Sequence, residues 1–276
     1  MAAARAEGDA GDVFDLEGFC STGVGQLPGA FSAEEAARMR ATIWGDIEER
    51  SDIREADPST WPDGGGIPPG LSLRSLKGRP AFRPLTANKA LNGALEAIFG
   101  ADGWTAPRRA ARILLTFPSR RPWTMPGGWH MDTNFDGPTF PVPWIQLWAC
   151  LADLAPGGGG TLLLAGSHRL VERYSAGLDP AHRPGNGVNF GRFMAQHPFL
   201  DRLRQGGEPQ APLRDLLGVE ELVGDVPVQA VEVTGRAGDM FITHGQVLHC
   251  AAPNATERTR QMLTGAIHRR SQAPQA

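Results

Sequence analysis

The chain has 276 residues, of which 41% are hydrophobic, and a net charge of −3, which fits one folded domain with a large core. A charge this close to neutral gives no electrostatic basis for binding nucleic acid or an anionic membrane. Three cysteines without C-x-x-C spacing argue against a disulfide framework, and no apolar run approaches the length of a membrane span, so we expect a cytoplasmic protein.

Two helices are predicted in the first hundred residues. Ser32 is a typical N-cap with a glutamate three residues later, which predicts a helix from there to about Arg50. Thr86 or Asn88 begins a second helix, which runs to Ile98 and ends before a glycine.

The rest of the sequence predicts a β-rich core. The 35 glycines and 23 prolines make up about a fifth of the chain, a composition that suits short strands joined by turns. We predict a mainly β fold with flanking helices, a double-stranded β-helix (jelly-roll or cupin-like) barrel. The whole chain would form one domain, with a tail over 1–12, a helical and loop part over 13–105 and a barrel core over 106–268. A long loop over 57–70 is a candidate lid, and about 170–222 is expected as an insertion over the barrel mouth.

His130 and Asp132 stand between two predicted strands. Residues 111–117 and 144–151 are rich in apolar and β-branched side chains, and a Pro-Gly-Gly turn leads into Trp129. Residues two apart on an extended chain share a face, so both side chains can approach one metal. His-x-Asp spacing is weak evidence alone, and its position between strands strengthens it.

A matching segment lies near the C-terminus. Residues 240–244 predict a short strand leading to His249, and residues 260–267 predict a returning strand that brings Arg260 beside it. Two histidines and one carboxylate form the facial triad with which non-haem enzymes hold Fe(II) and leave positions open. The arginine fork matches one carboxylate of a dicarboxylic keto acid.

Three further residues bear on this assignment. His244, five residues before His249, is an alternative metal ligand, and Arg258 is an alternative to the later arginine. His168 lies in a Gly-Ser-His turn and is expected to be structural.

One face of the predicted strand over 144–151 suggests a pocket. Alternation places Trp144, Gln146 and Trp148 together on it. With Trp123 and Trp129 they would line or roof a substrate cavity, and ordinary core packing is the alternative for each tryptophan.

These segments resemble a known family. Residues 129–132 (WHMD), 159–169 (GGTLLLAGSHR) and 238–260 (GDMFITHGQVLHCAAPNATERTR) are similar to the phytanoyl-CoA dioxygenase-like family of Fe(II)/2-oxoglutarate-dependent oxygenases. Residues 14–19 and 31–36 look like the family's N-terminal strand and first helix, so the resemblance covers most of the chain.

The resemblance implies a specific site. Fe(II) would be bound by His130, Asp132 and His249, and 2-oxoglutarate by Arg260, which stands 11 residues after the last of these ligands as the family pattern requires.

Three more residues are expected near the co-substrate. The resemblance makes Thr256 a second contact to the carboxylate and matches Trp148 to an aromatic position, 18 residues after the first histidine. Gln146 shares the face of Trp148. The chain departs from the pattern over 250–252, where Cys-Ala-Ala replaces Gly-Ser-Gly and a hydroxyl contact is lost.

The resulting hypothesis is an oxygenase that uses Fe(II), 2-oxoglutarate and O2 on a small-molecule substrate, as a monomer or homodimer. Hydroxylation is the default outcome, with desaturation, epoxidation and ring formation as alternatives. The cations are almost all arginine, which is typical of bacterial proteins, and a natural-product intermediate is a substrate that fits such a source. Arginines at 107–112 and 119–121 are expected in solvated loops, or else facing an anionic or carrier-linked substrate. Rival hypotheses are a cupin-type isomerase or dioxygenase without 2-oxoglutarate, and a non-catalytic ligand-binding barrel.

Overall fold

The computed structural model describes residues 14–63, 65–105, 111–119, 122–133, 135, 139–179, 186–206 and 212–270. The α-helices are α1 (Leu16–Thr22), α2 (Ala33–Arg50), α3 (Lys89–Phe99), α4 (Ser167–Ala176), α5 (Asn186–Met194) and α6 (Pro198–Gln205). The strands are β1 (Val24–Leu27), β2 (Trp104–Thr105), β3 (Arg112–Thr116), β4 (Trp144–Cys150), β5 (Thr161–Ala165), β6 (Glu220–Val223), β7 (Val226–Glu232), β8 (Met240–His244), β9 (Leu248–Ala251) and β10 (Arg260–Arg269). The tail predicted over 1–12 lies outside the described residues.

Both predicted N-terminal helices are confirmed with their caps. The Ser32 hydroxyl accepts the N–H of Glu35, whose carboxylate accepts the N–H of Ser32, and this capping box begins α2. Asn88, rather than Thr86, caps α3, and Gly100 ends that helix. The predicted boundaries agree to within about one residue.

The strand expected over residues 14–19 is wrong, because helix α1 begins at Leu16 within this segment. The Asp15 side chain accepts the N–H of Gly18 at 2.9 Å and caps the helix. Gly23, at a φ of 72°, ends it in the left-handed conformation that glycine adopts without strain. The strand begins one residue later as β1, which pairs with β8.

The described strands form two antiparallel sheets. The larger has the order β1-β8-β4-β10-β2, with β3 also paired to β10, and the smaller has the order β6-β7-β5-β9. Trp148 and Met262 of the larger sheet pack against Leu163 of the smaller sheet and against Val233, which follows β7. The two sheets therefore face each other across a shared core. The predicted mainly β, double-stranded β-helix fold is confirmed, with two facing sheets that do not close into a continuous barrel.

Helices cover the outer faces. Apolar side chains of α2 and α3, including Met39, Ile43 and Leu95, pack with Leu147 and Ile242 outside the larger sheet. The helices α4, α5 and α6 pack outside the smaller sheet, together with Met125, Trp129, Met131 and Phe135. None of the helices among the described residues is both long and apolar enough to cross a bilayer.

Candidate metal centre

The three predicted ligands converge. One side-chain atom from each of His130, Asp132 and His249 lies within 4.8 Å of the others. Nε2 of His130 is 3.8 Å from Oδ1 of Asp132, and Nε2 of His249 is 3.6 Å from Oδ2. His249 is buried whereas the other two are exposed, so protein closes one side of the cluster and the other side is open. No other group of His, Cys, Asp and Glu with metal-binding spacing occurs in the described ranges.

Both imidazoles are held in the tautomer that suits a metal. Nδ1 of His130 lies 2.8 Å from the carbonyl oxygen of Gly128, and Nδ1 of His249 lies 3.0 Å from that of Val247. A ring nitrogen that faces a carbonyl must donate a proton, which leaves the lone pair on Nε2. Histidines that bind metals almost always have such a partner on the second nitrogen.

The main chain joins the two histidines directly. The N–H of His130 donates to the carbonyl of His249 at 2.9 Å, and the N–H of His249 donates back at 2.8 Å. His249 also lies opposite Leu163 in the pairing of β9 with β5. These bonds fix the loop that carries His130 and Asp132 to the smaller sheet.

Gln146 orients the carboxylate. Its amide donates to Oδ2 of Asp132 at 3.1 Å and to Oγ1 of Thr264 at 3.2 Å. The polar interaction with His249 is the largest cause that lowers the pKa of Asp132 to about 2; burial opposes it, and Gln146 and His130 assist. The centre therefore combines one ionised carboxylate with two imidazole lone pairs.

Trp148 packs against His249, the buried member of the cluster. Its ring centroid is 5.1 Å from that of His249 in an edge-to-face arrangement, and its Nε1 donates to Thr243 at 3.0 Å. Gln146 and Trp148 share the inner face of β4, as the alternation predicted. The other tryptophans differ: Trp123 and Trp129 pack outside the smaller sheet, and Trp144 stacks on His268.

Arg260 lies at the start of β10, beside a glycine loop. It is 6% exposed, and Nη1 donates to the carbonyl of Gly159 at 2.7 Å. Its Nε is buried and has no hydrogen-bond partner among the described residues. Burial lowers the pKa of Arg260 to about 10, an effect that Glu232 partly opposes. A buried cation with a free N–H is suited to an anionic ligand.

Sequence reasoning missed Glu232, the last residue of β7. Its carboxylate accepts the N–H groups of Gly157 and Gly160 at 3.0 and 3.1 Å. Burial raises the pKa of Glu232, while these two bonds and Arg260 oppose the rise. Gly159 lies between these two glycines and has a φ of 80°. A Cβ at this position would lie 2.9 Å from Cβ of Asn254, so only glycine fits here. The run of four glycines was the available signal for this close approach.

Thr256 lies in the turn between β9 and β10. Its hydroxyl donates to Oδ1 of Asn254 at 2.8 Å, and its N–H lies 3.1 Å from the same oxygen. The Asn254 amide donates to the carbonyl of Arg258 at 2.7 Å. This network shapes the turn that leads into Arg260, and a direct contact of Thr256 with a co-substrate stays a prediction.

His244, the alternative ligand, and His168, which was expected to be structural, both lie elsewhere. Nε2 of His244 is 2.9 Å from the carbonyl of Thr139, and Nε2 of His168 is 3.1 Å from that of Cys20. Burial lowers the pKa of each to about 4. The two rings lie 5.1 Å apart and form a buried neutral pair outside the metal centre.

The family model for phytanoyl-CoA dioxygenase (PhyH) matches residues 19–262, which include the triad and Arg260. The chain belongs to the PhyH family. The resemblance inferred from the motifs is therefore confirmed over most of the chain. No curated protein sequence matches this PhyH member significantly.

Several solved structures share the PhyH member's fold. One is the epimerase SnoN from nogalamycin biosynthesis, determined in complex with Fe3+, alpha-ketoglutarate and nogalamycin RO; it is 18% identical with a TM-score of 0.52, and the match covers 92% of this chain and 82% of that one. The carbocyclase SnoK from the same biosynthesis is 16% identical with a TM-score of 0.51, covering 92% and 82%. AviO1 from Streptomyces viridochromogenes Tue57 is 17% identical with a TM-score of 0.52, covering 94% and 95%.

Proposed function

We propose that this PhyH-family enzyme is a non-haem Fe(II)- and 2-oxoglutarate-dependent dioxygenase that hydroxylates a small molecule. The observation that carries the proposal is the set of two imidazoles with free Nε2 lone pairs and one ionised carboxylate, all within 4.8 Å. This donor set is the one preferred by non-haem Fe(II) and leaves several positions for co-substrate and oxygen.

The residues present fit an iron ion. His130, Asp132 and His249 would hold it, with Gln146 fixing the carboxylate through the bond to Oδ2. Bound iron with 2-oxoglutarate and O2 supplies the oxidising power for an unactivated C–H bond. The exposed side of the triad gives a substrate access, whereas Trp148 and the facing sheets exclude water from the buried side.

Arg260 would anchor the far carboxylate of 2-oxoglutarate. Its Nε is buried and has no hydrogen-bond partner in the described part of the chain, and Nη1 donates to the carbonyl of Gly159. The glycine loop and the turn around Asn254 hold the guanidinium in place, so little side-chain entropy is lost when the ligand binds.

The test is formation of succinate from 2-oxoglutarate, which depends on Fe(II) and O2 and is measured with the purified chain and a panel of small molecules. Asp132→Ala should abolish it, and Asp215→Ala, at an exposed carboxylate on the described surface, should not. A metal isomerase that needs no keto acid would give product without succinate. A binding barrel would give neither, and Asp132→Ala would leave its ligand affinity unchanged.

The mass of the product tests the hydroxylation itself. Hydroxylation and epoxidation each add one oxygen atom and are told apart by whether a carbon–carbon double bond is lost, whereas ring formation or desaturation removes two hydrogens and epimerisation leaves the mass unchanged. A product without added oxygen would overturn hydroxylation and leave the dependence on iron and 2-oxoglutarate intact.

A further inference from the structure

The inner face of the larger sheet becomes more exposed towards one end. Among the β10 residues that alternate onto this face, Thr264 is buried, Ala266 is half-buried and His268 is exposed. On the neighbouring strand β4, Gln146 is buried and Trp144 is half-buried. The inner face therefore opens to solvent at the end that carries Trp144 and His268.

Trp144 and His268 form a stacked pair at this open end. They lie opposite each other in the pairing of β4 with β10, with ring centroids 5.7 Å apart and planes 22° from parallel. Gly245 lies next to Trp144 as well, and its N–H donates to the Trp144 carbonyl at 3.1 Å. A Cβ at Gly245 would overlap the indole, so the glycine leaves room for the ring to lie against the backbone. We call the rings of Trp144 and His268 the aromatic pair.

The metal centre lies between the aromatic pair and Arg260. The Thr264 hydroxyl accepts the amide of Gln146, which also donates to Asp132. Arg260 lies four residues before Thr264 on β10 and His268 four residues after it, roughly 14 Å in each direction. A 2-oxoglutarate anchored at Arg260 would therefore reach the metal centre from one side and leave the side of the aromatic pair to another molecule.

The distance from the aromatic pair to the metal centre suits a small molecule. Trp144 lies two residues before Gln146 on the same face of β4, roughly 7 Å along the strand. His130 and Asp132 are exposed, so the metal centre can be approached from outside. Aromatic rings stack with an offset, and this contact adds to the free energy gained by burying apolar area. The aromatic pair therefore favours a planar ring over a saturated ring of the same size.

We propose that the aromatic pair binds a planar, unsaturated ring of the substrate by stacking, so that the enzyme acts on an aromatic or conjugated ring compound. The inference rests on the proposed function and specifies the class of its substrate. The ring lies against Trp144 and His268, and the carbon that reacts lies on the side of the ring nearest the metal centre.

Two probes with the same carbon skeleton test this without any turnover. 1-Naphthol and its saturated counterpart, decahydro-1-naphthol, are titrated by calorimetry into the full-length, Mn(II)-loaded protein. The wild type should bind 1-naphthol about threefold or more tighter than the saturated probe. Trp144→Leu should remove this preference by weakening 1-naphthol alone, and His268→Ala should reduce it. Trp104→Leu changes a half-buried tryptophan on the outer face of the same sheet and should keep the preference of the wild type.

Three results would overturn the inference: equal affinity of the wild type for the two probes, no measurable binding of 1-naphthol, or an unchanged preference in folded Trp144→Leu. If Trp144→Leu is not folded by circular dichroism, His268→Ala at its exposed position replaces it, and an unchanged preference there has the same meaning. Succinate formation is measured with the same preparation. Succinate without a preference for the planar probe contradicts this inference alone, whereas that preference without succinate formation contradicts the proposed oxygenase.

Discussion

Arg260→Gln should weaken 2-oxoglutarate binding by one to two orders of magnitude. A hydrogen bond to a charged group contributes about 1.5–3 kcal/mol, and about 1.36 kcal/mol corresponds to a factor of ten. Losing the guanidinium therefore predicts a dissociation constant about 10- to 150-fold higher. The structure favours the upper part of this range, because Arg260 is 6% exposed and its buried Nε has no hydrogen-bond partner among the described residues.

The assay is calorimetric titration of 2-oxoglutarate into the Mn(II)-loaded protein, followed by the KM and kcat for succinate formation. Arg260→Lys keeps the charge and loses the planar fork, so an intermediate constant is expected. Arg258→Gln is the matched control, because Arg258 is exposed and makes its described bonds through the main chain. Arg260→Gln with an unchanged melting temperature and an affinity within twofold of the wild type would refute the anchoring role.

Three further predictions concern neighbouring groups. Glu232→Gln leaves one of two glycine N–H groups without its acceptor, so urea unfolding should show a loss of about 1–3 kcal/mol; no loss would contradict the structural role of this carboxylate. Gln146→Leu should weaken Mn(II) binding about 10- to 100-fold by freeing Asp132, as measured by calorimetry, and an unchanged affinity would exclude that role. The folded pKa of about 4 for His168 and His244 lies below the ordinary 6.5, so the folded state binds fewer protons. The free energy of unfolding should thus be at its full value above about pH 7 and fall between pH 6.5 and 4 by at most about 3 kcal/mol per ring. His244→Gln should make this fall smaller. An unfolding free energy that does not change over this pH range would disprove the prediction.

Much of the fold was predictable because local signals agreed with tertiary packing. The capping box at Ser32 and the alternation along β4 are short-range patterns, and both are confirmed. The convergence of His130 and His249 was also predictable, because each motif lies beside a strand and a hairpin places Arg260 near the second histidine.

Other features depend on contacts that a sequence does not display. The helix over Leu16–Thr22 differs from these, because its Asp15 cap and Gly23 terminus are local signals that the strand interpretation of residues 14–19 overlooked. Glu232 acquires its role because β7 pairs with β5 and brings it to the glycine loop, 75 residues from Gly157 in sequence.

The reciprocal main-chain bonds between His130 and His249 bear on how the protein would acquire the proposed ion. Small zinc domains organise their ligands only when metal arrives, so their affinity includes the entropic cost of folding. In this protein, backbone pairing and hydrophobic packing hold His130 and His249 together without contribution from a metal. The holo and apo forms should therefore share one architecture, and a chelator should strip the ion reversibly, leaving a competent receptor instead of a denatured chain.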